Sequence, residues 1–363
     1  MSQASDTKAQ RGLKLLIAGG GTGGHVFPAM AVAKEWLERD EGREVVIVGT
    51  ERGLEAKLVP EAGLPLELIH AAGLKGISGL KLLRNAAQLP MGLSDSAAIL
   101  RRHKFGAAFG VGGYASGPMM LLATWSGVPT VVFEPNVEPG FTNRILADMA
   151  TRIASGFEET RERWGTKATV TGIPVRKEFF RTAPREHRAP FRLLITGGSR
   201  GALPINRAVI DSLDLLAARK NDLFIVHQTG ERDYNAVRVA YARREFQAEV
   251  NPFIRDMAEQ FAQADLILCR SGAITVAEVA AAGRAAIFIP FGAATDSHQL
   301  RNAQAMERAG AARVLPQTEL TPERLTNEIF SLLDQPHRLS EMERSARGMS
   351  RPHATEAIVD LLE

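Results

Sequence analysis

Apolar runs of strand length recur along the chain, each followed by a glycine-rich or polar turn and then a stretch with helical spacing. They are Leu13–Ala18, Glu44–Val48, Ala107–Val111 and Thr130–Phe133, then Phe191–Thr196, Leu223–Gln228, Ala264–Cys269 and Ala285–Pro290. Runs this continuous belong to strands buried on both faces, and their alternation with helices predicts parallel sheets covered on each side. One run is repeated: Lys14-Leu-Leu-Ile-Ala-Gly-Gly20 returns as Arg192-Leu-Leu-Ile-Thr-Gly-Gly198. Each copy reads as a strand, a glycine turn and a helix, the arrangement that presents backbone N–H groups to a phosphate. The expected fold is α/β, with two doubly wound parallel-sheet domains facing one cleft.

Between the copies, Thr171-Gly-Ile-Pro-Val-Arg176 and the polar Arg181-Thr-Ala-Pro-Arg-Glu-His-Arg-Ala-Pro190 mark the expected linker. Domains are therefore expected over 12–174 and 175–339. The stretch after Pro336 reads as helical through Leu362, and its part from about 340 onward is expected to pack back on the first domain. A chain of 363 residues, 45% hydrophobic and 23% charged, is long enough for two full cores. The single Cys269 closes an apolar run and reads as a buried strand thiol in a reducing compartment. Met1 to Arg11 lacks the apolar region of a secretory signal, and no stretch approaches the roughly 18 apolar residues of a membrane span. The net charge of +3 comes from scattered basic residues with 6% aromatics, which argues against nucleic acid as a partner.

The candidate chemistry lies at the ends of the strands. Gly19-Gly-Gly-Thr-Gly-Gly-His25 contains the Gly19-x-Gly21-x-x-Gly24 spacing of a dinucleotide turn, ahead of a helix expected to begin near Val26 with Pro28 in its first turn. A nicotinamide dinucleotide also wants an acid closing the second strand, and only Glu51 stands near that place. More glycines are present than one turn needs, which implies a ligand pressed against backbone; a tight turn without ligand is the alternative. His25 follows directly, either as a neutral imidazole poised to accept a proton or as a group orienting the loop. In the second copy, Thr196-Gly-Gly-Ser-Arg-Gly-Ala202 adds Ser199, a hydroxyl suited to diphosphate oxygens. Cys269-Arg-Ser-Gly-Ala273 opens a further helix, with Ser271 expected as N-cap and Gly283 as its C-terminal stop. Glu278 on that helix is read as an acceptor for sugar hydroxyls or as a solvated charge. His298 and Gln299 are suited to reading hydroxyls and amides, unless capping by Asp296 or Ser297 simply leaves them on a first helical turn.

Taken together, Gly19-Gly-Gly-Thr-Gly-Gly-His-Val-Phe-Pro28, Gly110-Val-Gly-Gly-Tyr-Ala-Ser-Gly-Pro118, Gly197-Gly-Ser-Arg-Gly-Ala202, Cys269-Arg-Ser-Gly-Ala273 and Thr295-Asp-Ser-His-Gln299 resemble the MurG-type transferases. The resemblance implies a GT-B architecture of two Rossmann-like domains. It also implies transfer of N-acetylglucosamine from UDP-N-acetylglucosamine to the undecaprenyl-linked muramoyl-pentapeptide, with no cofactor. By resemblance, Thr22, Gly23, Gly24, Asn136 and Arg176 contact the donor, Ser199 meets the diphosphate and Ile254 the uracil. Ala273, Ile274, Thr275, Val276, Ala277 and Glu278 line the nucleotide, with Glu278 on the ribose, and His298 or Gln299 reads the sugar. This chain departs from the family pattern at Pro135, Arg200 and His298.

No Asp-x-Asp pair occurs, so a bridging metal lacks its usual carboxylates and no metal is expected. Charge on departing UDP then falls to helix N-termini, Ser199 and Arg176 or Arg270. The family's inverting displacement needs a base for the acceptor's C4 hydroxyl, and His25 is the first candidate, Glu134 the second. A lipid acceptor places the protein peripherally on the cytoplasmic face of the inner membrane. Leu74-Lys-Gly-Ile-Ser-Gly-Leu-Lys-Leu-Leu-Arg84 mixes apolar and cationic residues as an anionic membrane surface would require, or as a packed amphipathic helix would. A glycolipid synthase of the same architecture, a nicotinamide-dependent oxidoreductase and a non-catalytic sugar-nucleotide binder are the alternatives.

Overall fold

The computed structural model describes residues 14–71, 88–292 and 297–363. The Leu74–Arg84 segment and Asp296 lie outside them. The chain divides into two compact units, Met1–Pro174 with His353–Glu363, and Val175–Pro352.

In the first unit the strands are β1 (Lys14–Gly19), β2 (Glu44–Gly49), β3 (Leu66–Leu68), β4 (Ala107–Gly112), β5 (Thr130–Glu134), β6 (Arg152–Ser155) and β7 (Ala168–Val170). They form one sheet in the order β3-β2-β1-β4-β5-β6-β7, every pair parallel. The second unit contains β8 (Phe191–Thr196), β9 (Leu223–Gln228), β10 (Ala248–Asn251), β11 (Leu266–Cys269), β12 (Ala286–Phe288) and β13 (Ala312–Val314). Its order, β10-β9-β8-β11-β12-β13, winds the same way. The strand order reverses between β1 and β4 and again between β8 and β11, the crevice where open α/β sheets take ligands.

Leu15, Leu16, Ile17 and Ala18 of β1 and Leu193, Leu194 and Ile195 of β8 are buried, as central strands covered on both faces must be. The elements that the apolar pattern did not announce are β3, β6, β7, β10 and β13. Each has only three or four residues and carries polar side chains such as Glu67, Arg152, Thr169, Glu249 or Arg313. Strands at or near a sheet edge need no continuous apolar run.

The single helix expected after Pro336 is two, Pro336–Gly348 and Ala354–Leu362, because Pro352 cannot continue the first. Pro336–Gly348 stays with the second unit, where Glu343 Oε1 accepts from the buried Arg284 at 2.9 Å. Ala354–Leu362 belongs to the first, fastened by Arg39 to Asp360 at 2.7 Å and by Arg43 to Glu363 at 2.7 Å.

The segment Arg181–Pro190 is packed against the second unit. His187 is buried, with Nδ1 2.8 Å from Asp265 Oδ1 and Nε2 3.4 Å from Glu343 Oε2, while Arg185 lies 3.0 Å from the same Asp265 oxygen. Desolvation works against the imidazolium, but bonds to Asp265 and Glu343 outweigh it and hold the His187 pKa at about 9 against an ordinary 6.5. The protonated ring therefore stabilises the fold fully below pH 6.5, and that contribution is lost as pH rises through 9. His187→Gln is expected to lower the urea midpoint of the second unit at pH 6, with the gap to wild type closing by pH 9.5. A gap independent of pH would show that the charge plays no part.

Candidate active site

At the switch point of the first sheet, the β1 and β4 ladder shifts register between Ala18 and Gly19. The Gly20 N–H donates to the Gly112 carbonyl at 3.3 Å. A Cβ on Gly19 would stand 2.4 Å from Gly112 O, and one on Gly113 would stand 2.2 Å from Gly20 O. The two glycine turns thus meet backbone on backbone, with no room for a side chain.

On the other flank lies Glu55, 1% exposed. Its carboxylate accepts from Gly21 N–H at 2.6 Å, Thr50 N–H at 2.9 Å and the Thr50 hydroxyl at 3.0 Å. A Cβ on Gly20, Gly49 or Gly53 would come within 2.0–2.3 Å of that side chain. The surplus of glycines expected to admit a ligand is therefore consumed at Gly19 and Gly20 by the protein itself. Gly21 faces open space, and Gly23 and Gly24 begin the helix Gly23–Glu38. That helix starts three residues ahead of the expected Val26, so His25 sits in its first turn and Pro28 lies inside it.

His25 Nδ1 is 3.1 Å from the Gly20 carbonyl and 3.4 Å from Thr22 Oγ1. A carbonyl only accepts, so Nδ1 carries the hydrogen and the neutral ring keeps its lone pair on Nε2. Burial pulls the His25 pKa below its ordinary value, opposed by the bond to Gly20 and the charge of Glu55. The ring lies over Gly112, where a Cβ would approach Nε2 to 3.1 Å.

Glu134 closes β5 and is also 1% exposed. Oε1 accepts from the Asn136 N–H at 2.9 Å and from Asn136 Nδ2 at 3.0 Å. Oε2 accepts from Gly140 N–H at 3.0 Å and from Asn143 Nδ2 at 2.9 Å. Burial raises its pKa, and these four bonds oppose the rise. With both oxygens committed, Glu134 clamps the turn that carries Asn136.

The second copy of the glycine turn leans the other way. A Cβ on Gly201 would fall 1.8 Å from Thr229 O, and one on Gly230 would fall 2.2 Å from Arg200 O, so the turn packs on the loop after β9. Ser199 and Arg200 are exposed on it. Gln228 at the end of β9 donates from Nε2 to Gly198 O at 2.9 Å and accepts at Oε1 from Ile254 N–H at 2.7 Å. One buried amide thereby ties the glycine turn to Ile254.

Beside it, the helix Ala273–Ala282 has Gly272 as N-cap and no side-chain cap. Ser271, expected to cap it, instead donates to the Gln299 carbonyl at 2.8 Å. The first-turn N–H groups, those of Ala273, Ile274 and Thr275, have no intrahelical partner, the condition for an anion site. Val276 is buried, while Ala277 is only partly so. Gly283 ends the helix in the left-handed region, as expected.

Glu278 stands in the second turn, its side chain 17% exposed and Oε1 3.7 Å from Arg176 Nη2. Burial raises its pKa to about 7 against the pull of Arg176. The Arg176 guanidinium also lies 5.0 Å over the Phe179 ring. Arg270 is held by its own unit: it donates to Ile289 O and Pro290 O at 3.0 Å and to Gln317 Oε1 at 2.8 Å. His298 and Gln299 open the helix His298–Arg308, and Gln299 Oε1 accepts from Phe291 N–H at 2.9 Å, which turns that side chain back on its own loop.

Residues 15–155 match the glycosyltransferase family 28 N-terminal domain, and residues 192–358 match the glycosyltransferase family 28 C-terminal domain. The chain belongs to glycosyltransferase family 28. Among its family 28 relatives, proteins of Geotalea uraniireducens and Myxococcus xanthus are each 45% identical over 96% of this chain, covering 97% and 92% of their own lengths. Both are named UDP-N-acetylglucosamine–N-acetylmuramyl-(pentapeptide) pyrophosphoryl-undecaprenol N-acetylglucosamine transferase. A crystal structure of Acinetobacter baumannii MurG is 34% identical, with a TM-score of 0.81 over 96% of this chain and 99% of that one. The two like-wound sheets are thus the Rossmann-like domains of the GT-B fold.

Family 28 membership removes the oxidoreductase alternative, and the geometry agrees. A carboxylate already takes the Gly21 N–H, one of the turn amides a dinucleotide's diphosphate would claim, and Glu51 is exposed. Among the described residues no helix is long and apolar enough to cross a membrane. Sequence reasoning missed Glu55 and Gln228. The signal for Glu55 was present in Gly49 and Gly53, glycines with no turn motif of their own.

Proposed function

We propose that this chain transfers N-acetylglucosamine from UDP-N-acetylglucosamine to the C4 hydroxyl of the muramoyl unit of undecaprenyl-diphospho-muramoylpentapeptide, with inversion at the sugar carbon. The observation that carries the reading is the side-chain-uncapped helix Ala273–Ala282 with Glu278 on it, in a chain 45% identical over 96% of its length to transferases named for this reaction. The helix N-terminus and Ser199 meet the diphosphate, whose leaving charge they stabilise. Glu278 accepts the ribose hydroxyls, Arg176 is released from Glu278 toward the phosphates, and Ile254 lies against the base. Gln299 reads the sugar through its amide NH₂, because its oxygen is held by Phe291; His298 adjoins it.

On the first unit, His25 Nε2 removes the proton from the acceptor hydroxyl as the oxygen attacks. Thr22, Gly23 and Gly24 flank it, and Asn136 is presented by the turn that Glu134 clamps. Glu134 itself has no oxygen to spare for a substrate proton. A lipid acceptor brings the protein to the cytoplasmic face of the inner membrane, with the cationic, apolar Leu74–Arg84 segment at an anionic surface.

The test is UDP release from UDP-N-acetylglucosamine or UDP-glucose, each offered with the muramoyl lipid or with diacylglycerol. Release with UDP-N-acetylglucosamine and the muramoyl lipid alone is expected. Release with diacylglycerol instead would make the chain a glycolipid synthase.

A further inference from the structure

We propose that Glu55 is the positioning residue for His25, pinning the Gly20–Gly21 backbone so that the Gly20 carbonyl holds Nδ1–H and leaves the Nε2 lone pair to the acceptor hydroxyl. This rests on the reading of His25 as the base.

The chemistry at Glu55 demands a carboxylate. Three donors converge on it, the N–H groups of Gly21 and Thr50 and the Thr50 hydroxyl. An ionised carboxylate is acceptor-only and meets all three; an amide of the same shape would turn its NH₂ against a donor. Three glycines, Gly20, Gly49 and Gly53, clear the space it fills. So much accommodation around a buried charge exceeds what holding the short helix Glu55–Glu61 requires. The bonded Gly21 N–H and the Gly20 carbonyl belong to one planar peptide group, so fixing one fixes the other. Gly20 is pinned from the opposite side by Gly112 and Gly113, which leaves its carbonyl one direction, toward Nδ1.

The carboxylate also acts through space. It is the charged group that raises the His25 pKa against burial, while Gly20, Thr22 and Gly112, which touch the ring, carry no titratable side chain. Loss of the charge therefore lowers the imidazole pKa further and weakens it as a base, and loss of the bond to Gly21 frees the tautomer.

The experiment labels the histidine rings of the full chain with ¹³C and ¹⁵N and assigns His25 by its disappearance in His25→Ala. The wild type should show the Nδ1–H tautomer. Glu55→Gln should show a mixed tautomer and a lower His25 pKa. Its kcat should fall at least about tenfold, within the span of base catalysis, with the KM for UDP-N-acetylglucosamine little changed. Where Glu55→Gln does not fold, Glu55→Asp carries the test. It keeps the charge but cannot reach Gly21, so the tautomer should mix while the pKa stays near wild type. An unchanged His25 tautomer and pKa in the folded variant would overturn the proposal even if activity fell. Should His25→Ala remain active while Glu55→Gln alters the ring, the base assignment fails and Glu55's hold on the imidazole stands.

Discussion

His25→Ala is expected to lower kcat by roughly 10²–10⁴ while leaving UDP affinity within about twofold of wild type, if the ring serves proton transfer and the second unit holds the nucleotide as proposed. The pH profile adds a separate signature. A base works only when deprotonated, so activity rises with pH through the His25 pKa. Burial has lowered that pKa below 6.5. At saturating donor, the wild-type kcat should climb along an acid limb below pH 6.5 and be flat at neutrality, and the variant should lose the limb. Steady-state rates within about threefold of wild type would remove His25 from the mechanism.

Glu278→Gln weakens binding of UDP-N-acetylglucosamine by roughly 10–100-fold, the scale of hydrogen bonds to a charged acceptor. The effect depends on pH in the wild type. With its pKa raised to about 7 by burial, a Glu278 that holds the ribose as proposed accepts both hydroxyls only when ionised, so affinity is expected to fall as pH drops through 7. Glutamine has no such titration, and its affinity should stay level from pH 6 to 8. Calorimetry on both proteins decides it: equal affinities, or a pH dependence surviving in the variant, would sink the ribose role.

How much of this was legible in the chain follows from what each element needs. β1, β4, β8 and β11 are buried on both faces, so their apolar runs stood out. β6 and β10 have only four residues each, too few for an apolar run to stand out in the sequence. The glycine turns were visible as motifs, but their partners were not. Gly21 meets a carboxylate 34 residues away, and Ile254 meets an amide 26 residues back. Gln228 reads only as the last residue of an apolar strand until the fold brings its amide to the Gly198 carbonyl. Ser271 had the right residue type and place for a cap, yet the Gln299 carbonyl, 28 residues on, took its hydroxyl. Local rules could not weigh that competitor. The Arg- and Pro-rich segment before β8 read as a linker for the same reason, because its buried His187 pairs with Asp265, 78 positions ahead.

The opposite leanings of the two glycine turns bear on stoichiometry. In the first unit the turn closes across the switch point onto Gly112 and Gly113, while Gly21 faces open space. In the second it packs instead onto Thr229 and Gly230, on the β9 side of β8. If only the second turn takes a diphosphate, as proposed, one nucleotide is expected per chain rather than two. The same calorimetric titration reads this directly as one UDP bound for each polypeptide.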